Sequence, residues 1–510
     1  MGNPEPDAML WNGVLSIRGP AERRGVNARD MQISGSYAGL MAKGVFPLVL
    51  TLASLGCTMI PKYERAPIPV APRFPGTTES HAEPALTESD WQNFFTDERL
   101  KTLIEIALVN NRDLRVAVLN VEESRAQYRI TRSASFPILN AAADYTRSKA
   151  SLAGFPQASL GSSGPSTFTS GEWNANLGTT AYEVDLWGRV RSLNRQALEK
   201  YFATEEARRN EQISLVSTIA IEYFTLRQAE ETLRVSTDTL QAVQQSYTVN
   251  KAMFEGGSGS ELDLRTAEGQ VETAKINVLT HQREKAQAEN YIVLLIGEPI
   301  PANLPMPRLF TDPHLLPEVR AGLPSELLQR RPDILEAEHT LKAANANIGA
   351  ARAAFFPTIT LTGSIGTTSS ELSKLFGSGT QVWSFAPQIS LPIFNGGQNR
   401  ANLDAAKINE RIEVANYEKA IQVAFREVAD ALIGVSNYSK QTDQEANLVD
   451  TEKRRYELAS IRYRYGADTY LSVLSAQQDL YNAQQALIQA QFNKLSSLIS
   501  LYQALGGVWN

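Results

Sequence analysis

An internal repeat limits the fold of this chain more than any other feature. Residues 254–264 read FEGGSGSELDL, and residues 463–473 read YRYGADTYLSV. Gly257 and Gly466 stand 209 positions apart, and the same offset pairs Leu262 with Leu471 and Gly297 with Gly506. A second pair of markers, Ser135-Phe136-Pro137 and Phe355-Phe356-Pro357, is separated by 220, from 137 to 357. Each marker precedes an alternating segment, a glycine turn (Gly188; Gly396-Gly397) and a very long helical pattern. Two copies of a helix–hairpin–long helix–helix unit are a duplicated architecture rather than two unrelated domains. The offsets differ by 11, which places the extra length of the first copy between 137 and 188. There the Gly/Ser-rich run 154–171 reads as an exposed hairpin loop.

Composition excludes several classes of function. A mean hydropathy of −0.24 is too polar for a polytopic helical membrane protein. A net charge of −6 gives no basic footprint for nucleic acid. The four histidines, His81, His281, His314 and His339, form no ligand-spaced pair, and no Gly-rich phosphate loop joins a strand to a helix. No catalytic centre, metal site or bound cofactor is expected, and the chain does not read as an enzyme.

The single cysteine is placed where it matters. Residues 41–56 read MAKGVFPLVLTLASLG, a lysine and a short apolar run ending in small residues directly before Cys57. This is the pattern of a secretory signal, too short to span a bilayer as a helix. One cysteine cannot close an internal disulfide, but at this position it can accept lipid. Residues 1–40 carry no periodicity and read as a non-native upstream extension. Residues 57–89 read as lipid anchor and linker, with the proline-rich stretch 63–84 as an extended strap.

From residue 90 the period is helical, with Leu100, Leu103, Ile104, Ala107 and Leu108 as one apolar stripe that 112–135 continues until Pro137. The period then becomes two. Ile359, Leu361, Gly363 and Ile365 alternate with Thr358, Thr360, Thr362 and Ser364, and Trp383, Phe385, Ile389 and Leu391 alternate with Ser384, Ala386, Gln388 and Ser390. The first copy repeats this more weakly with Leu139, Ala141, Ala143 and Tyr145, and with Trp173, Ala175 and Leu177. Four such segments match transmembrane strands, apolar toward lipid and polar toward a lumen, although half-buried strands of a soluble sheet give the same pattern. Four strands cannot close a membrane barrel, because closure takes about eight or more, and an open edge in hydrocarbon leaves backbone groups unpaired. Other subunits must complete the sheet, and three copies would supply twelve strands.

After the glycine turns, 189–254 and 399–465 contain no proline. At about 1.5 Å per residue each spans roughly 100 Å. They are rich in Ala, Gln and Glu with narrow apolar seams (Ile213, Val216, Ile219, Ala220, Tyr223), which suits lateral packing in a hollow wall. Each ends in a glycine-containing turn and doubles back, so both turns lie at the end farthest from the strands.

Several ordered stretches resemble the outer-membrane factor family, the TolC-like trimeric efflux channels, and specifically its lipoprotein branch. They are Trp91-Gln92-Asn93-Phe94 through Asn111-Arg112-Asp113-Leu114, Gly322-Leu323-Pro324-Ser325 through Arg331-Pro332-Asp333-Ile334, and Ala353-Ala354-Phe355-Phe356-Pro357. Leu391-Pro392-Ile393-Phe394-Asn395-Gly396-Gly397, residues 463–466 and Ala483-Gln484 complete the set, and Ser54-Leu55-Gly56-Cys57 resembles a lipobox apart from Ser54, where leucine is usual.

The resemblance implies a mainly α homotrimer. Its twelve-stranded outer-membrane β-barrel, four strands per protomer, continues into a periplasmic α-helical barrel girdled by a collar. It also implies diacylglycerol and N-acyl lipid on Cys57, outer-membrane lipid around the barrel, a periplasmic adaptor and an inner-membrane pump as partners, and a passive exit duct for small molecules. By this reading 90–298 is the first repeat (hairpin about 138–187, tip turn 256–260), 299–324 an equatorial linker, and 325–510 the second repeat (hairpin about 358–394, tip turn 466–469). Adaptor contact carries over to Gly257, Ser258, Gly259 and Ser260, and to Gly466, Ala467, Asp468 and Thr469. The pore gate carries over to Leu471, with its repeat partner Leu262. The acidic gate position falls on Ser475, so the chain departs from the family there, and Asp450 is the substitute expected on the long helix. Two other readings stay open: a channel for type I protein secretion, and a periplasmic coiled-coil lipoprotein without a pore.

Overall fold

The computed structural model describes residues 58–507, apart from 66, 68, 72, 75–90, 152–166, 313–314 and 318–329. The signal, the upstream extension, Cys57, His81 and His314 lie outside these residues, as does most of the Gly/Ser-rich loop.

The duplication is structural. Helix α1 (Trp91–Phe94) leads into α2 (Glu98–Asn110) and α3 (Arg112–Ser133), then strands β1 (Asn140–Ser151) and β2 (Thr167–Glu183), the 67-residue α4 (Arg189–Glu255) and its return α5 (Glu261–Ile296). The second copy runs α6 (Pro332–Ala353), β3 (Thr358–Ser369), β4 (Gln381–Ser390), the 67-residue α7 (Gln398–Arg464) and α8 (Tyr470–Ala504). Helices α3 and α6 begin and end 220 apart, and α4 and α7 begin and end 209 apart. The stripe read from 100 to 135 is interrupted at Asn111, which ends α2 and caps α3 by accepting from Leu114 N at 2.9 Å.

The glycines that set the offset mark where the backbone turns left-handed. Gly188 and Gly397 precede the long helices at φ 74° and 86°, Gly257 and Gly466 sit at 75° and 70°, and Gly297 and Gly506 at 73° and 90°. Such φ values are open to glycine at little steric cost. The end of each return helix is also fastened in the same way. Asn111 Nδ2 donates to Leu295 O at 2.9 Å, and Arg331 Nη1, at the equivalent place in the second repeat, donates to Ala504 O at 2.8 Å. Different side chains thus satisfy the same orphan carbonyl of a helix C-terminus.

The four strands form one antiparallel sheet in the order β1-β2-β3-β4. Register places Tyr145 opposite Trp173, Leu177 opposite Ile365, and Ile365 opposite Trp383. One face is therefore apolar and strongly exposed, with Trp383 at 77%, Ile389 at 70% and Phe385 at 62%. The other face is polar and bonded to itself: Asn174 Nδ2 donates to Asp144 at 3.3 Å, and Ser364 and Ser384 hydroxyls lie 2.8 Å apart. Alternation alone misses one irregularity. A bulge between Thr179 and Tyr182 inserts one extra residue in β2, with Ala181 at φ 54°. It reverses the parity of the strand end and sets Tyr182 beside Leu361 on the apolar face.

The main core lies midway along α4, where α1, α2, the end of α5 and the end of α8 converge. Phe94, Phe95, Leu100, Tyr223, Phe224, Ile292, Ile499 and Tyr502 are buried together, and Phe94 stacks on Tyr502 at 4.6 Å between centroids. The seam Ile213, Val216, Ile219, Ala220 and Tyr223 is wholly buried. Buried Asp97 ties this region together: its Oδ1 accepts from Arg99 N at 2.9 Å, while Oδ2 accepts from Tyr223 Oη at 2.9 Å and Arg308 N at 3.1 Å. The collar that the family resemblance implies would be built at this level of the long helices.

Candidate functional site: the helical tip and the two open edges

Above the collar the helices pack in the order α3, α4, α6, α7; below it the order is α5, α4, α8, α7. Since β1 follows α3 and β4 leads into α7, sheet and helices share the same lateral order. One side of the wall ends in β1, α3 and α5, the other in β4 and α7. Both sides carry exposed apolar side chains: Val116, Leu119 and Ile130 on α3, Ile276 and Leu279 on α5, and Ile408 and Ile412 on α7. Among the described residues, each outer strand also leaves one backbone edge without a partner strand.

At the far ends of the long helices the two tip turns are built alike. Ser258 N donates to Met253 O and Ala467 N to Arg462 O, both at 2.9 Å. A Cβ placed on Gly257 or Gly466 meets nothing within 4 Å, so these positions need glycine for φ and not for space. Gly259 differs, because a Cβ there would stand 2.9 Å from Phe254 N. Ser260 caps α5 by accepting from Asp263 N at 3.0 Å. Asp468 accepts from Ser472 Oγ at 2.7 Å, Thr469 N at 2.8 Å and Arg462 Nε at 3.2 Å. The Ser472 hydroxyl first, with the other donors, holds the Asp468 carboxyl below the usual carboxylate range.

The gate residues divide. Asp450, Leu471 and Ser475 line one open groove of about 1030 Å³ between α7 and α8, together with Arg454, Arg455, Leu458, Arg462 and Ser472. Leu262 is equally exposed, at 76% against 70% for Leu471, but does not line that groove. A residue that sequence reasoning passed over sits one turn beyond Ser475: Asp479 accepts from Ser475 Oγ at 3.4 Å and from Arg455 Nη1 at 2.7 Å. Leu471, Ser475 and Asp479 thus share a helix face, a relation the i, i+4, i+8 spacing could have revealed.

The two repeats meet just above the tip. Tyr463 Oη donates to the buried Asn250 Oδ1 at 2.8 Å, and Tyr463 lies 5.5 Å from Tyr470 between ring centroids. Ala267, Tyr470 and Val473 form a small core beneath them. Burial pushes the Tyr470 phenol up to about 12, with Tyr463, Tyr456 and Asp263 adding to it. The histidines within the described residues each pair with a glutamate, His281 with Glu284 within α5 and His339 of α6 with Glu199 of α4, each at 2.7 Å. Among those residues no group of three or more His, Cys, Asp or Glu could hold a metal ion, and no helix is long and apolar enough to cross a membrane.

The described linker after Cys57, including the start of the strap, is docked along α6 through residues 59–65. Arg352 Nη1 donates to Met59 O at 3.3 Å and Asn345 Nδ2 to Pro61 O at 3.0 Å, while Tyr63 Oη and Arg65 reach Glu338 at 3.1 and 2.7 Å. Ile60 lies against Gly349, where a Cβ would stand 2.7 Å from Ile60 Cγ1. Residue 58 therefore approaches the end of α6 that leads into β3.

Comparison with known proteins agrees with this arrangement. The family described as outer membrane efflux protein matches residues 103–298 and 323–507. The chain is 46% identical over 475 residues to the toluene efflux pump outer membrane protein TtgC of Pseudomonas putida, covering 92% of this chain and 96% of that one. It is 40% identical over 469 residues to the outer membrane protein OprJ of Pseudomonas aeruginosa, again covering 92% and 96%. Among solved structures, the open state of the Neisseria gonorrhoeae MtrE outer membrane channel superposes with a TM-score of 0.80 at 41% identity, covering 88% of this chain and 98% of that one.

Proposed function

This chain belongs to the outer membrane efflux protein family, and from that premise we propose that it is the exit duct of a tripartite efflux system, a homotrimer gated at its periplasmic tip. It is the outer-membrane channel of an efflux pump of a Gram-negative bacterium. The observation that carries the trimer is the shared lateral order of strands and helices. Among the described residues both sides of the wall end in a strand edge without a partner, flanked by exposed apolar helix faces, and the two sides differ, so copies must join head to tail and close by rotation. Unpaired strand edges cannot remain in hydrocarbon. Three copies give twelve strands, with Trp383, Phe385 and Ile389 toward lipid and Ser364, Ser384 and Asn174 toward the lumen.

The duct is passive and performs no chemistry on its cargo. A periplasmic adaptor meets residues 257–260 and 466–469 at the tip turns, and the inner-membrane pump supplies the energy. Leu471 narrows the lumen there, and opening is an untwisting of the tip helices. Cys57 carries the lipid anchor; the course of the strap toward the sheet end of α6 supports this, because it brings residue 58 toward the membrane. A toluene pump component among the relatives supports small organic molecules as cargo over secreted polypeptides.

The test is direct. Mature protein purified in detergent is expected to run as a trimer and to open ion-conducting pores in planar bilayers. A stable detergent-free monomer of the Cys57→Ser form would end this reading in favour of a periplasmic coiled-coil lipoprotein without a pore.

A further inference from the structure

Ser475 stands where the family resemblance expects a carboxylate, yet the groove beside Leu471 is not free of acids. Asp450 and Asp468 line it, and Asp479, one turn past the lining residue Ser475 on the same face of α8, borders it and is met by Arg455 of α7, Nη1 to Oδ2 at 2.7 Å. The same Nη1 also reaches Glu452 at 3.0 Å, and Nη2 points at Ser475 Oγ from 3.5 Å. The other arginines of the groove are engaged as well, Arg454 with Glu457 at 3.1 Å and Arg462 with Asp468 at 3.2 Å, while Asp450 completes the lining.

We propose that Arg455 is a charge clamp of the pore mouth: it spans α7 and α8 and offsets Asp479, so that the mouth attracts cations less than a ring of bare carboxylates would. The inference rests on the channel reading above, because only there does the groove with Leu471 face the permeation path. Arg455 contributes one positive charge against the two negative charges of Glu452 and Asp479. Without it, each protomer of a trimer would present both carboxylates uncompensated, and threefold symmetry would gather six at one level. Both partners are about half exposed, so the pair adds little to folding. Its consequence is electrostatic, in a narrow mouth where fixed charge sets which ions accumulate. It also joins the outgoing and return helices of the second repeat at the level where the mouth would widen.

The experiment is a double-mutant cycle on reversal potential, with trimers of the mature protein in planar bilayers under a KCl gradient. Arg455→Gln is expected to shift selectivity severalfold toward cations and to confer block by added Mg²⁺. Asp479→Asn, which leaves Arg455 less compensated, is expected to shift it toward anions. The double variant should return near the wild type and lose the Mg²⁺ block. Shifts of opposite sign cannot come from misfolding, which lowers pore yield without inverting selectivity. Unchanged reversal potentials in both single variants, or a Mg²⁺ block of equal strength in the wild type, would overturn the clamp. Failure of wild-type trimers to conduct at all would instead defeat the channel reading, and the clamp with it.

Discussion

Tyr463 and Asn250 join the two repeats just above the tip: the phenol of one donates to the side-chain oxygen of the other at 2.8 Å. Asn250 is buried and donates in turn to Ser246 O at 2.9 Å, so its amide is held at both ends. The tip helices of α4 and α7 cannot part without breaking this bond. Tyr463→Phe keeps the ring packing and removes the donor, leaving a buried acceptor unpaired at a cost of about 1 kcal/mol. Faster amide exchange over 246–256 and 460–470, with a leakier closed channel, is the expected outcome.

Leu471 is exposed in the single chain and lines the α7–α8 groove. Leu471→Ser is expected to raise closed-state conductance in bilayers without lowering trimer yield. An unchanged conductance would remove Leu471 from the gate.

Gly466 at φ 70° has open space around it, so alanine there is strained by conformation alone, at about 1–2 kcal/mol. Gly269 has the same open surroundings at an ordinary helical φ inside α5, and alanine there should stabilise the helix by about 0.5–1 kcal/mol. Thermal unfolding of Gly466→Ala and Gly269→Ala is therefore expected to move in opposite directions.

Glu338, 3% exposed, receives Tyr63 and Arg65 of the strap and Lys342 of its own helix. Burial by itself would raise its pKa, but Arg65 and Lys342 outweigh that and hold the carboxyl below the usual range. A depressed pKa stabilises above the unfolded value, near 4.3, and that contribution is lost as pH falls through the lower folded value. Strap docking is thus expected to be intact at neutral pH and to loosen below about pH 4. Limited proteolysis within 58–74 across that window checks it, with Glu338→Gln expected to loosen the strap already at neutral pH.

The two faces of β4 should tolerate charge unequally. Phe385→Arg places a cation midway along the apolar face of β4, at about 2–4 kcal/mol near mid-bilayer, and is expected to abolish heat-stable trimers. Ser384→Arg, on the bonded polar face, is expected to assemble and to change conductance instead.

Local features made much of this fold legible before any contact was known. Gly188, Gly257, Gly297 and their partners 209 residues on announce themselves because a left-handed φ excludes most other residues, and the four strands are readable because alternation needs only neighbours. The bulge at Ala181 was not legible: nothing in Thr179-Thr180-Ala181-Tyr182 marks an extra residue, and it is the pairing with Thr362 and Leu361 that imposes it. The helix face of Asp479 follows from its spacing to Leu471 and Ser475, but its pairing does not. Its importance comes from Arg455, which is 24 residues away and on another helix.

By itself, then, the sequence determined the repeat, the lengths of the helices, the places where the chain reverses, and the two-faced strands, since each follows from the torsional and hydropathic preferences of a short window. Only the tertiary structure decided which side chains share a surface: Arg65 with Glu338, Asn111 with Leu295, Arg331 with Ala504, Arg455 with Asp479. Those partners are chosen by how helices of nearly 70 residues lie alongside one another. Small rotations about such long axes exchange one set of neighbours for another without altering any local pattern.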